Sequence, residues 1–362
     1  MPTKADLEFM REAIAFSRQN LGRTATNPSV GTVIVKDGII IGRGVTAVGG
    51  RPHAETQALA EAGKAAMGAT AYVTLEPCAH HGRTPPCADA LANAGIARLV
   101  CALSDPDDRV AGKGFAILRD AGVEIEADVG ADEARSVLWA YLVRSQSKRS
   151  GVTLKLAISA DGMLGLKGQG SVPVTGEATR DQVHQMRAEH DAIMVGIGTV
   201  LADDPSLDVR LDGMEHRSPH RVVVDRHARL SASSKLAQTA RRIKTSIATC
   251  APDSANAASL RAMGVNIIAC AEHQGEVALP ELLEDLASMG TQSVFLEGGA
   301  QLAKSFLTED LVDRLVLIQS DRLLGADGLA SPIGPHNVSR EFASLGQEHY
   351  GDDIAYFYER TR

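Results

Sequence analysis

What this 362-residue sequence lacks removes several classes of protein. No apolar run approaches the roughly 20 residues needed to cross a bilayer as a helix. The opening stretch, MPTKADLEFMREAIAFSRQN, reads as an amphipathic helix with acids in it. It has neither the basic start nor the apolar block of a signal peptide, so the expected compartment is the cytoplasm and no membrane partner is expected. Cysteine is scarce, with five residues, and a disulfide framework is not expected in a reducing compartment. Cys101, Cys250 and Cys270 lie in or at the end of apolar runs (RLVCAL, SIATC, VNIIAC) and read as buried free thiols. There is no basic run. The net charge is −8, and residues 1–150 carry 17 basic and 17 acidic side chains against 20 and 28 in the remainder. A neutral half and an acidic half argue against a long nucleic acid, whose binding depends on phosphate neutralisation. No internal repeat and no low-complexity segment is present.

What is present is a chain 44% hydrophobic and long enough for two domains, each able to bury its own core. After the first helix, SVGTVIVKDGIIIGRGVT reads as a β-hairpin, with Asp37-Gly38 as its tight turn. A helix at His53, a strand at Tyr72, a helix at Cys87, the strand RLVCALS, the helix–Gly–strand GKGFAILRDAGVEIEADV and a helix from Asp132 to Val143 follow. Strands and helices alternate, which implies an α/β layering. The periodicity breaks at RSQSKRSG, Arg144 to Gly151, and the domain boundary is placed there. Beyond it a strand carries Thr153, Lys155, Ala157 and Ser159 on one face and Leu154, Leu156 and Ile158 on the other. Further strands are DAIMVG, RVVVD, SIATC, VNIIAC, SVFLEG, RLVLIQ and DIAYFYE, interleaved with helices. These describe a second α/β unit around a large sheet.

The chemistry is concentrated in two short stretches of the first half. In RPHAETQALA, His53 and Glu55 stand two apart at a helix start. By themselves they fit a metal ligand with its acid/base partner, or an ordinary polar first turn. In AYVTLEPCAHHGRTPPC, an apolar strand runs into Pro77-Cys78, a Gly- and Pro-rich loop follows, and Cys87 opens the next helix. One imidazole and two thiolates form a ligand set that zinc favours, with the fourth tetrahedral position open to water. A cation there lowers the pKa of its water toward neutrality. A helix N-terminus favours thiolate over thiol. The order His-x-Glu then Pro-Cys then Cys follows the zinc nucleobase deaminases, with Glu55 moving protons rather than ligating. The spacing between the cysteines is longer, eight residues rather than two.

The second half offers weaker signals. TQSVFLEGGAQLAKSFL is a strand, a Gly-Gly turn and a helix. Such a turn can cradle phosphate with backbone N–H groups, or it can be no more than a tight connection. VGIGTVLADDPSLDVR, Val195 to Arg210, is a Gly-rich strand end followed by Thr199, Asp203 and Asp204. Its plain alternative is a capped helix-to-loop connection.

Taken in order, NPSVGTVIV, HAE, PCAHHGRTPPC, DPDDRVAGKG, LKLAISADG, GTVLADDPSLDVR and LEGG resemble the bifunctional deaminase–reductases of riboflavin biosynthesis along nearly the whole chain. The loop HGRTPPC carries that family's own cysteine spacing. The resemblance implies a cytidine-deaminase-like α/β/α domain, residues 1–147, and a dihydrofolate-reductase-like α/β domain, residues 148–362. It implies zinc and NADPH, and a small phosphoribosylated diaminopyrimidinone that is first deaminated and then reduced at its ribose. His53, Cys78 and Cys87 become the zinc ligands, Glu55 the proton shuttle, and Asn27 and Arg83 substrate contacts. Ala157, Pro173, Thr199, Asp203, Arg226, Gly299, Ala300, Gln301 and Leu302 fall where the family binds NADPH. Ser171, Arg187, Leu207, Arg210 and Glu297 fall where it binds the phosphorylated substrate, and guanidinium forks suit phosphate. Lys155 and Glu297 are candidates for the proton chemistry of ribose opening. Two positions depart from the pattern. Pro173 stands where the family has tryptophan, and offers neither an aromatic face nor an N–H. Thr46 stands where the family has histidine, which leaves that substrate contact either absent or supplied by His80 or His81. The expected assembly is a homo-oligomer, a dimer or higher. Two alternatives are a nucleoside or tRNA zinc deaminase with an unrelated appended domain, and a structural zinc protein, which normally needs a fourth protein ligand.

Overall fold

The computed structural model describes residues 2–80, 85–170 and 172–361. Its chain divides into two compact units, Met1–Lys148 and Arg149–Arg362. Among the described residues no helix is long and apolar enough to cross a membrane.

In the first unit, α1 (Lys4–Ser17) is opened by a reciprocal cap: Thr3 accepts from the Asp6 amide, and the Asp6 carboxylate accepts from the Thr3 amide. The strands are β1 (Gly31–Lys36), β2 (Ile39–Val45), β3 (Thr70–Val73), β4 (Arg98–Cys101) and β5 (Glu124–Glu126), in the spatial order β2-β1-β3-β4-β5. β1 runs antiparallel to β2 and β3, and β3, β4 and β5 are parallel. Asp37 and Gly38 both take positive φ, 52° and 76°, as the primed turn of a two-residue hairpin requires. The helices α2 (Ala54–Ala62), α3 (Cys87–Asn93), α4 (Lys113–Asp120) and α5 (Ala131–Ser147) complete the unit. Its core holds Val33, Ile34, Ala71, Leu91, Leu99, Val100 and Leu118. One close approach sets the entry of α2. A Cβ on Gly44 of β2 would lie 2.0 Å from the Ala54 carbonyl oxygen, so only glycine lets the helix start rest on the strand. The helix expected to end at Val143 continues through Ser147 and ends at Lys148, whose φ is +59°, and the units divide there, inside the stretch Arg144 to Gly151. Arg144, Ser145, Gln146 and Ser147 lack apolar periodicity, but nothing in them opposes helix, and helical backbone does not need a buried face at its last turn.

The second unit is built on a sheet in the order β11-β10-β9-β8-β14-β6-β15-β18-β17. In chain order these are β6 (Gly151–Ile158), β8 (Ala192–Gly196), β9 (His220–Val224), β10 (Thr245–Thr249), β11 (Asn266–Ala269), β14 (Ser293–Glu297), β15 (Arg314–Gln319), β17 (Phe342–Tyr350) and β18 (Asp353–Arg360). From β11 to β15 all neighbours are parallel, and β18 and β17 are added antiparallel. Strands β8, β14 and β15 are apolar and buried along most of their length, as in sheets covered on both faces, while β6 between β14 and β15 alternates. Val152, Leu154 and Leu156 of β6 pack with α10 (Leu279–Ser288) and α11 (Ala300–Thr308). Phe295, Val316 and Ile318 pack with α6 (Glu177–Ala188). Ile193, Val223 and Ile247 pack with α7 (Ile197–Asp203), α8 (Lys235–Gln238) and α9 (Ala255–Met263). Two small ladders, β7 (Met163–Leu166) with β16 (Gly328–Ala330) and β12 (Glu272–His273) with β13 (Glu276–Val277), lie outside the main sheet. The three remaining cysteines are free, but only Cys101 is fully buried. Cys250 and Cys270 stand one residue past β10 and β11, where the sheet opens, and are half-buried.

Candidate active sites

The first site lies at the carboxyl ends of the parallel strands β3 and β4, where open α/β sheets gather ligands. His53 is the N-cap of α2, and Glu55 lies in the first turn of that helix, 4% exposed. Cys78 follows β3 by five residues, and Cys87 is the first residue of α3 behind Pro86. His53 Nδ1 faces both sulfurs, 3.7 Å from Cys78 Sγ and 3.4 Å from Cys87 Sγ. All three candidate ligand atoms lie within 4.8 Å of one another. Tetrahedral zinc with bonds of about 2.0–2.3 Å holds such atoms about 3.5–3.8 Å apart, so the triad fits the ion. The fit assigns Nδ1 as the imidazole ligand. His53 Nε2 is buried and has no hydrogen-bond partner among the described residues.

Cys78 is drawn down to about 4, chiefly by a hydrogen bond with the Cys87 thiol, and that same bond, together with burial, pushes Cys87 up. Two sulfurs this close disfavour a second thiolate, and a cation held between them would favour the thiolate form of both. The hydrogen bond with Cys78 raises His53. Glu55 is pushed up to about 7 by burial and then by the charge of Cys78. A carboxyl at that value can both take and give a proton near neutrality.

Of the other residues expected here, Asn27 packs on Gly50, where a Cβ would lie 2.3 Å from its Nδ2, three residues before His53. Arg83 and His81 lie outside the described residues. Thr46 is 2% exposed and its hydroxyl accepts from the Val30 amide at 3.0 Å, so it joins two backbone segments. His80 is half-buried, and its Nδ1 has no hydrogen-bond partner among the described residues.

The second site gathers on β6, β14 and α6. Lys155 and Glu297 are register partners on adjacent parallel strands, so their side chains share a face. The Arg187 guanidinium forks onto Glu297, with Nε donating to Oε1 at 2.6 Å and Nη2 to Oε2 at 3.0 Å, and its Nη1 donates to the Asp208 carbonyl at 3.0 Å. Burial works against the Glu297 charge, yet Arg187 and Lys155 hold its carboxyl below the usual range. Lys155 is drawn down by burial, partly offset by Glu297. Two residues were not apparent from the sequence. His184, three positions before Arg187 on α6, is 7% exposed, with Nε2 3.4 Å from Arg210 Nη2. Asp353 caps α6, its Oδ2 accepting from the Gly176 amide and the Thr179 hydroxyl, and its charge reaches Lys155. The i, i+3 spacing on one helix face is the sequence signal for His184; Asp353 has none.

The remaining positions of this half fall into two groups. Thr199 joins the Gly-Gly turn: its Oγ1 accepts from the Gly299 amide at 3.1 Å, and Gly298 takes φ of +153° beside it. Ala300 opens α11, Leu302 packs over Gly196, and Gln301 donates to Glu276 at 3.2 Å. Arg226 bonds Glu272 and the Gly275 carbonyl, so the β12–β13 hairpin holds it. Ala157 is half-buried on the Lys155 face, and Asp203 is half-buried and raised by that burial. Leu207 is buried with φ of +52°, and Arg210 is exposed. Pro173 is exposed and its carbonyl accepts from Arg322 Nη1 at 2.9 Å. Ser171 lies outside the described residues.

Comparison with known proteins covers both halves. Residues 150–356 match the family model "RibD C-terminal domain", and residues 3–103 match "Cytidine and deoxycytidylate deaminase zinc-binding region". The chain is 40% identical over 338 residues to a riboflavin biosynthesis protein RibD of Actinobacillus pleuropneumoniae, covering 93% of this chain and 89% of the relative. It is 34% identical to that of Aquifex aeolicus (strain VF5), covering 99% and 100%. Among solved structures it resembles Acinetobacter baumannii RibD, form 1, with 36% identity, 99% coverage of each chain and a TM-score of 0.87. It also resembles the diaminohydroxyphosphoribosylaminopyrimidine deaminase/5-amino-6-(5-phosphoribosylamino)uracil reductase of Thermotoga maritima, with 30% identity, 99% coverage of each and a TM-score of 0.85.

Proposed function

Since this chain belongs to the RibD family of riboflavin biosynthesis proteins, we propose how its own residues divide the two reactions of a bifunctional deaminase–reductase. The protein is a hydrolase in its zinc-binding deaminase domain and an oxidoreductase in its reductase domain. The substrate we assign is 2,5-diamino-6-ribosylamino-4(3H)-pyrimidinone 5′-phosphate. It is deaminated first, and its ribosyl group is then reduced to ribityl with NADPH. The observation that carries the first step is the His53–Cys78–Cys87 triad with a buried Glu55 at its side. These three side chains would hold zinc, which when bound would supply a Lewis acid and a water whose pKa lies closer to neutrality. Glu55 passes one proton from the attacking water to the pyrimidine ring nitrogen and a second from the resulting hydroxyl to the departing amino group, which leaves as ammonia. Asn27 and Arg83 orient the ring.

NADPH supplies the two electrons of the second step, and Ala157, Thr199, Asp203, Arg226 and the turn Gly299 to Leu302 are the residues assigned to hold it. With both oxygens taken by Arg187, Glu297 acts as a fixed anion. Lys155 makes no hydrogen bond or ion pair among the described residues and has an amine below its ordinary range, so it is the proton donor to the opening ribose. Arg187 is committed to Glu297 and Asp208, which leaves the exposed Arg210 as the primary phosphate contact. We place the enzyme in the cytoplasm, where its free thiols stay reduced.

Incubation with the diaminopyrimidinone phosphate, with and without NADPH, followed by mass analysis, tests this reading. Without NADPH the product has exchanged an amino group for oxygen; with NADPH it has also gained two hydrogens. An unchanged substrate in the zinc-loaded enzyme overturns it. A nucleoside or tRNA deaminase with an unrelated second domain is not supported, because the second domain is itself matched as RibD-type.

A further inference from the structure

The segment TLEPC contains a carboxylate that neither reaction uses. Glu76, two residues before Cys78, is 3% exposed and makes no ion pair among the described residues. Its two oxygens instead accept four backbone N–H groups. Oε2 accepts from Asp105 at 3.3 Å and Gly112 at 3.1 Å, and Oε1 accepts from Gly114 at 3.0 Å and Phe115 at 3.3 Å. All four donors belong to the stretch DPDDRVAGKGF, which runs into the first turn of α4. The Glu76 amide donates to the Leu103 carbonyl at 2.8 Å. The same stretch presses on the next residue, since a Cβ on Gly114 would lie 2.0 Å from the Pro77 carbonyl oxygen. On the far side of Pro77, the Cys78 carbonyl accepts from Ala88 at 3.2 Å and its sulfur from the Cys87 amide at 3.4 Å.

A carboxylate removed from water is costly unless its lone pairs are filled. Here four amides fill them, and those of Gly114 and Phe115 lie at a helix N-terminus that favours negative charge. Hydrogen bonds to a charged acceptor contribute more than neutral ones, and four of them converge here. The result is a rigid anchor in the backbone just ahead of a thiol that must be placed to within a fraction of an ångström. We infer that Glu76 is a positioning residue of the deaminase, fixing Cys78 as a ligand by locking Glu76-Pro77 onto residues 105–115. This rests on the reading of His53, Cys78 and Cys87 as a zinc site. It also assigns a role to DPDDRVAGKG, which contributes no residue to either site as described above.

The test uses the full chain. Glu76→Gln preserves the volume and one acceptor oxygen but turns an NH₂ group toward two N–H donors. Zinc affinity is measured by competition with a chromophoric chelator, and deamination kcat and KM are measured separately at saturating zinc. Groups that orient metal ligands are typically worth about 10–100-fold in affinity or activity, and a loss in that range is expected. The loss should appear in zinc affinity and kcat, with KM within about twofold and the reductase activity of the same chain unchanged. Gly114→Ala displaces Pro77 with Glu76 intact and should weaken zinc in the same way; it decides the matter if Glu76→Gln does not fold. Parental zinc affinity in the folded variant, whatever its melting temperature, reduces Glu76 to a packing role and overturns the inference. A parental chain without zinc, or a Cys87→Ala variant that binds it as tightly, overturns the zinc reading instead.

Discussion

At the scale of single residues, the two carboxylates nearest the chemistry do opposite things for environmental reasons. Glu55 is buried beside sulfur and pushed up to about 7, whereas Glu297 is buried against a guanidinium and held low. A proton shuttle needs the first condition and a fixed anion the second. Glu55→Gln should therefore lower deamination by about 10²–10⁴-fold while zinc stays bound, and His53→Ala or Cys87→Ala should lose metal and activity together. Metal analysis alongside turnover separates these outcomes, and an emptied site in Glu55→Gln would make Glu55 a ligand. In the second site, Lys155→Met should slow reduction by about 10²–10⁴-fold with KM for the phosphorylated substrate little changed. Glu297→Gln sets an amide NH₂ against Arg187, so there both kcat and KM should suffer. Steady-state reduction kinetics check this, and parental reduction by Lys155→Met returns that lysine to a structural position.

At the scale of elements, α2 carries both His53 and Glu55, and its position depends on Gly44. Gly44→Ala places a methyl group 2.0 Å from the Ala54 carbonyl oxygen, so helix and strand must separate. Overpacking of this kind costs about 1–3 kcal/mol, and the displaced His53 should also weaken zinc. Thermal melts and chelator competition on one preparation measure both, and an unchanged pair of values would mean that α2 is not seated by this contact. The same elements show what the sequence made legible. The hairpin around Asp37-Gly38, the alternating β6 and the apolar strands β8, β9, β14 and β15 announce themselves, because burial on one or both faces leaves a periodic trace. β17 leaves none: its residues 343–349 are exposed on both faces, so FASLGQEHY has no apolar side to alternate with. The two-residue strands β12 and β13 are too short for any period. In the sites, the zinc triad was legible from residue types in order. That Arg187 is occupied by Glu297 was not, since the contact joins positions 110 apart and only packing creates it. The same holds for Asp353 and for the partners of Glu76, while His184 is marked only by its i, i+3 spacing from Arg187.

At the scale of the molecule, two units divide at Lys148 and each has its own sheet and core. A unit of that size can carry its own core, so residues 1–148 expressed alone should fold, bind zinc and deaminate without reductase activity. Circular dichroism and product analysis test this; an unfolded fragment would mean that the boundary is misplaced or that the second unit is needed for folding. The two sheets also differ in when they can be completed. β6 lies between β14 and β15, so Lys155 acquires its neighbours Glu297 and Val316 only after the chain has grown by roughly 140–160 further residues. At about 5–20 residues per second on a ribosome, that delay is on the order of ten seconds. Throughout it Val152, Leu154, Leu156 and Ile158 have no strand beside them, whereas every strand of the first unit has already emerged. A ribosome halted before Ser293 thus holds all of the deaminase and a reductase lacking the middle of its sheet, and a nascent chain in that state presents chaperones with β6 as its exposed apolar strand.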